Sequence, residues 1–111
     1  MANIKDIIAP VELITEDAAL EKHLFECIIT GDFATLEAEK SAVAFAMMRL
    51  RDSRQELRDT LERMRRANEI LPTIYSDEDF DYIVGQIENV KYNLDYYRKR
   101  LNVIREVLTN K

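Results

Sequence analysis

The chain has 111 residues, two glycines, two prolines and one cysteine, with 21 acidic against 16 basic side chains for a net charge of −5. Glycine and proline far below their usual shares of roughly 7% and 5% leave few turns, so the helices must be few and long, and abundant Leu, Glu, Arg, Ala and Met agree. Plentiful Leu, Ile, Val and Phe exclude global disorder, a single cysteine excludes an internal disulfide, and no apolar run approaches the ~20 residues needed to span a bilayer. No basic-then-apolar leader opens the chain. The expectation is one soluble, cytoplasmic, all-α domain over 1–111.

In chain order, residues 1–14 read as an irregular N-terminal arm. A first helix is expected over 16–30, with Thr15 as N-cap and Glu16 and Asp17 suiting the positive end of the helix dipole. Leu20, Leu24, Cys27 and Ile28 share one face, Gly31 fits a left-handed C′ position, and Asp32 can cap the next helix. That second helix is expected over 33–71. Leu36, Val43, Leu50, Leu57, Met64 and Leu71 recur every seven residues as d positions, alternating with Lys40, Met47, Arg54, Leu61 and Asn68 at a. Pro72 ends the run by biasing Leu71 out of the α region.

A third helix, 77–109, begins after Ser76, with Asp79 completing a variant capping box. Phe80, Ile83, Ile87, Val90, Leu94, Tyr97, Leu101, Ile104 and Leu108 alternate three and four apart without a miss. Two such seams joined by a short loop predict a long antiparallel helical hairpin, a coiled coil folded on itself. The shorter acidic helix packs at its open end. If Leu71 meets Phe80, residue i faces roughly residue 151 − i.

Charge is unevenly spread. Residues 1–40 carry three basic and nine acidic side chains, 41–71 seven and five, and 72–111 six and seven, so the net values −6, +2 and −1 sum to −5. The stretch RLRDSRQELRDTLERMRR, Arg49 to Arg66, holds seven arginines. Pairs at i,i+4 (Arg58–Glu62, Asp59–Arg63, Glu62–Arg66, Arg65–Glu69) predict that its second half is a self-neutralised solvent face. Its first half lacks local acids beyond Asp52, and the register brings Arg98, Lys99 and Arg100 opposite Arg49, Arg51 and Arg54. These six are the candidate anion- or partner-binding set. They are balanced either by the acidic first helix or a second subunit, or by an external anion such as nucleic acid or a nucleotide.

A second candidate is the tip, where Tyr75, Asp77, Glu78, Asp79, Phe80, Asp81 and Tyr82 could present an acidic-aromatic knob or simply form a capped helix start. SAVAFAMM, Ser41 to Met48, is apolar all round, which calls for neighbours on several sides. Together with the polar a positions, which favour a defined oligomeric state, it predicts a homo-oligomer, most simply a dimer. Tyr92 and Tyr96 add apolar surface on the outer side of helix three. Gly85 lies at an outer helical position, marking a kink or a close contact near the tip.

Catalytic and metal signals are weak. His23 is the sole histidine, HLFE (His23 to Glu26) offers too few ligands for a metal, and Cys27 has no activating base evident in the sequence. Glu56-x-x-Asp59 resembles half of the acidic motif of all-α nucleotide pyrophosphohydrolases, without its Glu-x-x-Glu half. No cofactor, metal or membrane partner is expected. TGDFATLEAEKSAV, Thr30 to Val43, resembles the start of the long helix in flagellar type III export chaperones. That resemblance implies a small helical cytosolic protein binding a helical substrate segment.

The functional expectation is a non-enzymatic oligomeric interaction protein: adaptor, assembly factor or small protein inhibitor, of phage or bacterial accessory type. The alternatives are a nucleic-acid- or nucleotide-binding helical oligomer and an export-chaperone-like binder of helical segments.

Overall fold

The computed structural model describes residues 3–15 and 18–111. It contains α1 (Ile4–Ile7), α2 (Ala18–Thr30), α3 (Phe33–Ile70) and α4 (Asp77–Thr109), and no strand among the described residues. At ~1.5 Å per residue, α3 and α4 should reach ~57 and ~50 Å. The molecule measures 61 × 23 × 15 Å, so its length is that of its two long helices lying antiparallel. This is the all-α hairpin that the two seams require.

Each boundary has a local cause. Gly31 at φ 68° closes α2 with a Schellman pair, the Asp32 N–H donating to Cys27 O at 3.0 Å and the Gly31 N–H to Ile28 O at 3.3 Å. Asp32 then caps α3 by accepting from the Thr35 N–H at 3.2 Å. Leu71 is extended ahead of Pro72, and α3 stops. Ser76 and Asp79 form the capping box of α4. Asn68, polar at an a position, donates to Tyr75 O and accepts from the Tyr75 N–H, at 3.0 and 2.9 Å, which clamps the tip loop onto α3. The expected start of α2 at Glu16 and Asp17 lies outside the described residues.

The core forms two clusters. Val43, Met47, Leu57 and Met64 meet Ile83, Val90, Leu94 and Leu101 along the hairpin, joined by Ile4 from the N-terminal arm. At the open end Leu24 and Cys27 of α2 pack on Leu36, Ile104 and Leu108. Burial of side chains this size contributes about 1.5–3 kcal/mol each, and this is what holds the three helices together. Leu20 departs from the expected packing face and stands 46% exposed.

Apart from α1 the described arm takes no regular secondary structure over residues 9–15, yet it is tied down along its length. After α1 it runs along α4 from the tip toward the open end, a strap described as far as Thr15. Val11 and Ile14 bond to Gln86 and Asn93. Three extended residues span ~10 Å, matching ~10.5 Å for seven helical residues, so the two backbones keep step.

Candidate functional site

Helix α4 carries different chemistry on the two sides of its apolar seam. On one flank Asp79, Gln86, Asn93 and Arg100 recur every seven residues, and all four hold the strap or α2. The Ile4 N–H donates to Asp79 Oδ1 (3.4 Å), Val11 N–H to Gln86 Oε1 (2.6 Å), and Ile14 N–H to Asn93 Oδ1 (2.9 Å). Asn93 Nδ2 returns a bond to Glu12 O at 2.9 Å. One turn aside, Tyr82 donates to Ile8 O (2.7 Å), Asn89 to Val11 O (3.2 Å) and Tyr96 to Glu21 (3.4 Å). An extended strap cannot satisfy its own backbone groups, and this polar ladder does so for it.

Arg100 ends the ladder. Its side chain is 7% exposed, with Nη1 on Glu21 Oε1 at 2.7 Å and Nε on Glu39 Oε1 at 3.0 Å. Glu21 comes from α2 and Glu39 from α3, so one guanidinium joins three helices. A buried arginine needs this pairing, because a buried charge without a partner is strongly destabilising. Asp79 is likewise fixed. Its carboxyl titrates below the usual carboxylate range, chiefly because it accepts the Ser76 backbone N–H, with the Ser76 hydroxyl, the Ile4 N–H and Lys5 adding to the effect.

The other flank is bare. Ala44, Met47 and Arg51 of α3 and Arg98, Leu101, Asn102 and Arg105 of α4 line a cleft of about 260 Å³. Arg98 reaches Asp95 at 3.2 Å. Arg51 and Arg105 make no hydrogen bond or ion pair among the described residues. Arg54 lies half-buried, its Nε–H shielded from solvent without an acceptor, an expensive state for a guanidinium. Arg58 and Arg65 extend the α3 row at seven-residue intervals, and Lys91 extends that of α4.

The six candidate cations therefore do not converge. Arg51 and Arg98 share the bare cleft, with Arg54 on the seam of the same flank. Arg49 lies over the Phe45 ring at 6.0 Å, on the strap side, and Lys99 borders a groove with Glu21, Tyr96 and Arg100. Arg100 is consumed internally, whereas Arg105, outside the expected set, belongs to the cleft. The tip residues divide too. Tyr75 stacks edge-on with Phe80 at 6.5 Å and both pack on the core, and Asp79 and Tyr82 turn to the strap. Only Asp77, Glu78 and Asp81 remain fully at the surface.

Of the expected intrahelical pairs in the arginine run, Glu62–Arg66 forms at 3.4 Å. Asp59 instead accepts from Gln55 Nε2, Arg63 donates to the Asp59 carbonyl, and Glu62 also serves Arg65 at 4.0 Å. Arg58 makes no such bond among the described residues, so this half is less self-neutralised than the sequence suggests.

Apolar surface is exposed at the open-end half. In SAVAFAMM, Val43 and Met47 are buried, but Phe45 and Met48 stay 56% and 50% exposed because α2 packs over Leu36 rather than over them. Phe45 edges an open groove of about 450 Å³ lined also by Ile14, Ala46, Leu50 and Tyr97. Phe25 and Ile29 are uncovered on the outer side of α2. His23 Nε2 lies 3.8 Å from Cys27 Sγ, an i,i+4 neighbour not singled out in the sequence. Burial, then Asp32, Glu26 and Glu39, push that thiol up, away from a reactive thiolate. A Cβ at Gly85 would meet nothing within 4 Å, so no close intrachain contact explains that glycine.

Among the described residues no helix is long and apolar enough to cross a membrane. Comparisons with protein-family models, curated proteins and solved structures gave no match.

Proposed function

We propose that the protein is a non-enzymatic, cytoplasmic, oligomeric interaction protein, working as an adaptor, assembly factor or small inhibitor of a larger machine. The observation that carries this reading is the set of large apolar side chains left uncovered on α2 and α3 in the open-end half. Phe25 and Ile29 on α2 and Phe45 and Met48 on α3 are all at least half exposed there, as Ile7, Ile70 and Leu71 are nearer the tip. Exposed apolar side chains one turn apart on a helix face, as in these two pairs, mark contact sites more often than scattered single exposures do. The rest of the molecule, held by its core and polar ladder, is a rigid support.

The experiment is in-cell cross-linking of the native chain beside a Phe45→Asp/Met48→Asp variant that keeps its helical circular dichroism. A protein captured by the native chain and lost with the variant supports the reading. No captured protein, or equal capture by both, contradicts it.

The bare cleft favours one second reading, a nucleic-acid- or nucleotide-binding oligomer using Arg51, Arg98 and Arg105. Counterion release makes such binding strongest at low salt. Failure to bind DNA, RNA or heparin there ends this reading.

A further inference from the structure

The flank of α4 away from the strap carries charge that reverses sign along its length. Positions 77, 84, 91, 98 and 105 are Asp, Val, Lys, Arg and Arg, and the adjoining positions 81, 88, 95 and 102 are Asp, Glu, Asp and Asn. They keep to one flank because the hairpin holds a seven-residue repeat along its length: on the opposite flank the strap and α2 meet Asp79, Gln86, Asn93 and Arg100 in register. The tip half of this ridge on α4 is therefore acidic and the open-end half basic, apart from Asp95, which pairs with Arg98. Asp77, Asp81, Glu88, Lys91, Arg98 and Arg105 are all exposed. Among the described residues, only Arg98 in this set has an ion pair, with Asp95.

We propose that this ridge is the contact between two copies of the chain, packed antiparallel about a two-fold axis near Lys91. A two-fold interface must be self-complementary, and a ridge that changes sign at its midpoint is so only when antiparallel. The midpoint of 77 and 105 is 91. Asp77 of each copy then meets Arg105 of the other, and Asp81 enters the cleft between Arg98 and Arg51. At the axis the two Lys91 side chains come together, each flanked by Glu88 and Asp95 of the other copy, which offset their repulsion. A parallel pairing would stack acid on acid and arginine on arginine.

The occupant is a second copy rather than nucleic acid because the ridge supplies its own counter-charge at the matching spacing. A polyanion would have to lie along Asp77, Asp81 and Glu88 as well. Exposed ion pairs contribute little each, so these contacts set orientation and register and leave the dimer sensitive to salt.

The proposal rests on the oligomeric part of the function proposed above, and its test separates the two. Mass in solution is measured by light scattering for the native chain, for Arg98→Glu/Arg105→Glu, for Asp77→Lys/Asp81→Lys and for their equimolar mixture. Helicity is checked by circular dichroism. The native chain is expected at twice its monomer mass in low salt, with a dissociation constant about tenfold weaker or more in ~0.5 M than in ~0.05 M salt. Each double variant is expected as a monomer, since both of its contacts become repulsive, and the mixture should recover the double mass, since both become attractive. A chain carrying all four changes should also dimerise, which covers the case in which a double variant folds poorly alone.

A native chain that is monomeric in all salts overturns the proposal, as does one that gains mass only with added DNA. A dimer indifferent to Arg98→Glu/Arg105→Glu overturns it too, while leaving an oligomeric interaction protein built on another surface such as Phe45.

Discussion

The two flanks of α4 use polar residues at the same seven-residue spacing for opposite ends. Asp79, Gln86, Asn93 and Arg100 are matched by groups of their own chain, the last three buried, with a backbone or carboxylate partner apiece. Arg98 and Arg105, on the other side of the seam, stay exposed, with Asp95 the only partner between them among the described residues. The difference lies in what covers each flank. A polar group under a strap must be satisfied within the fold, whereas a polar group facing solvent is free to specify a contact with another molecule.

Substitution at the ends of the two ladders should break the comparison most visibly. Arg100→Ala leaves Glu21 and Glu39 without their shared cation and is expected to cost about 2–3 kcal/mol in urea denaturation. Arg98→Ala and Arg105→Ala should each stay within about 0.5 kcal/mol at concentrations where the chain is monomeric. Equal losses at 98 and 100 would erase the distinction between the flanks.

Asn93→Ala comes next. It removes an acceptor for Ile14 N–H and a donor to Glu12 O, at about 1–2 kcal/mol. Amide exchange should speed up at Ile14 while that of the α3–α4 core stays slow. Gly85→Ala sharpens the picture from outside, because its Cβ would point into open space on neither flank. It should raise stability by about 1 kcal/mol, and a loss of stability or of self-association would mean that this outer face touches a partner.

The smallest effect is local and set by pH. Because Asp79 titrates lower in the folded chain than when unfolded, the folded state holds fewer protons in that window. Its stabilisation is complete above the ordinary carboxylate range and fades as pH falls through the lowered value. The tip end of the strap should then loosen in acid, seen as faster exchange at Ile4, and Asp79→Asn should remove that dependence.

Much of the fold could be read from the sequence because it is written in local signals: the unbroken three-four alternation of α4, Gly31, Pro72 and the Ser76–Asp79 box. The strap could not, since residues 4–15 have no period of their own and are ordered by partners some 75 positions away. A trace was present in α4, where polar residues at 79, 86, 93 and 100 keep the heptad as faithfully as the apolar ones. The arginine cluster was half legible. Sequence register brings Arg49, Arg51 and Arg54 near Arg98 to Arg100, but side-chain direction sends Arg100 to Glu21 of α2 and Glu39 of α3, and Arg51 to the bare cleft. Sequence distance cannot rank those directions.

The geometry of the pairing admits one direct measurement. Spin labels are placed singly at Lys91→Cys and at Thr109→Cys in a Cys27→Ser background, and the distance between the two copies is read by pulsed electron resonance at low salt. Position 109 lies ~27 Å along the axis from position 91, so antiparallel copies should give about 54 Å at 109 and less than about 20 Å at 91. Short distances at both positions would mean a parallel pair, and no intermolecular distance at either would mean no pair at all; both contradict the self-complementary ridge.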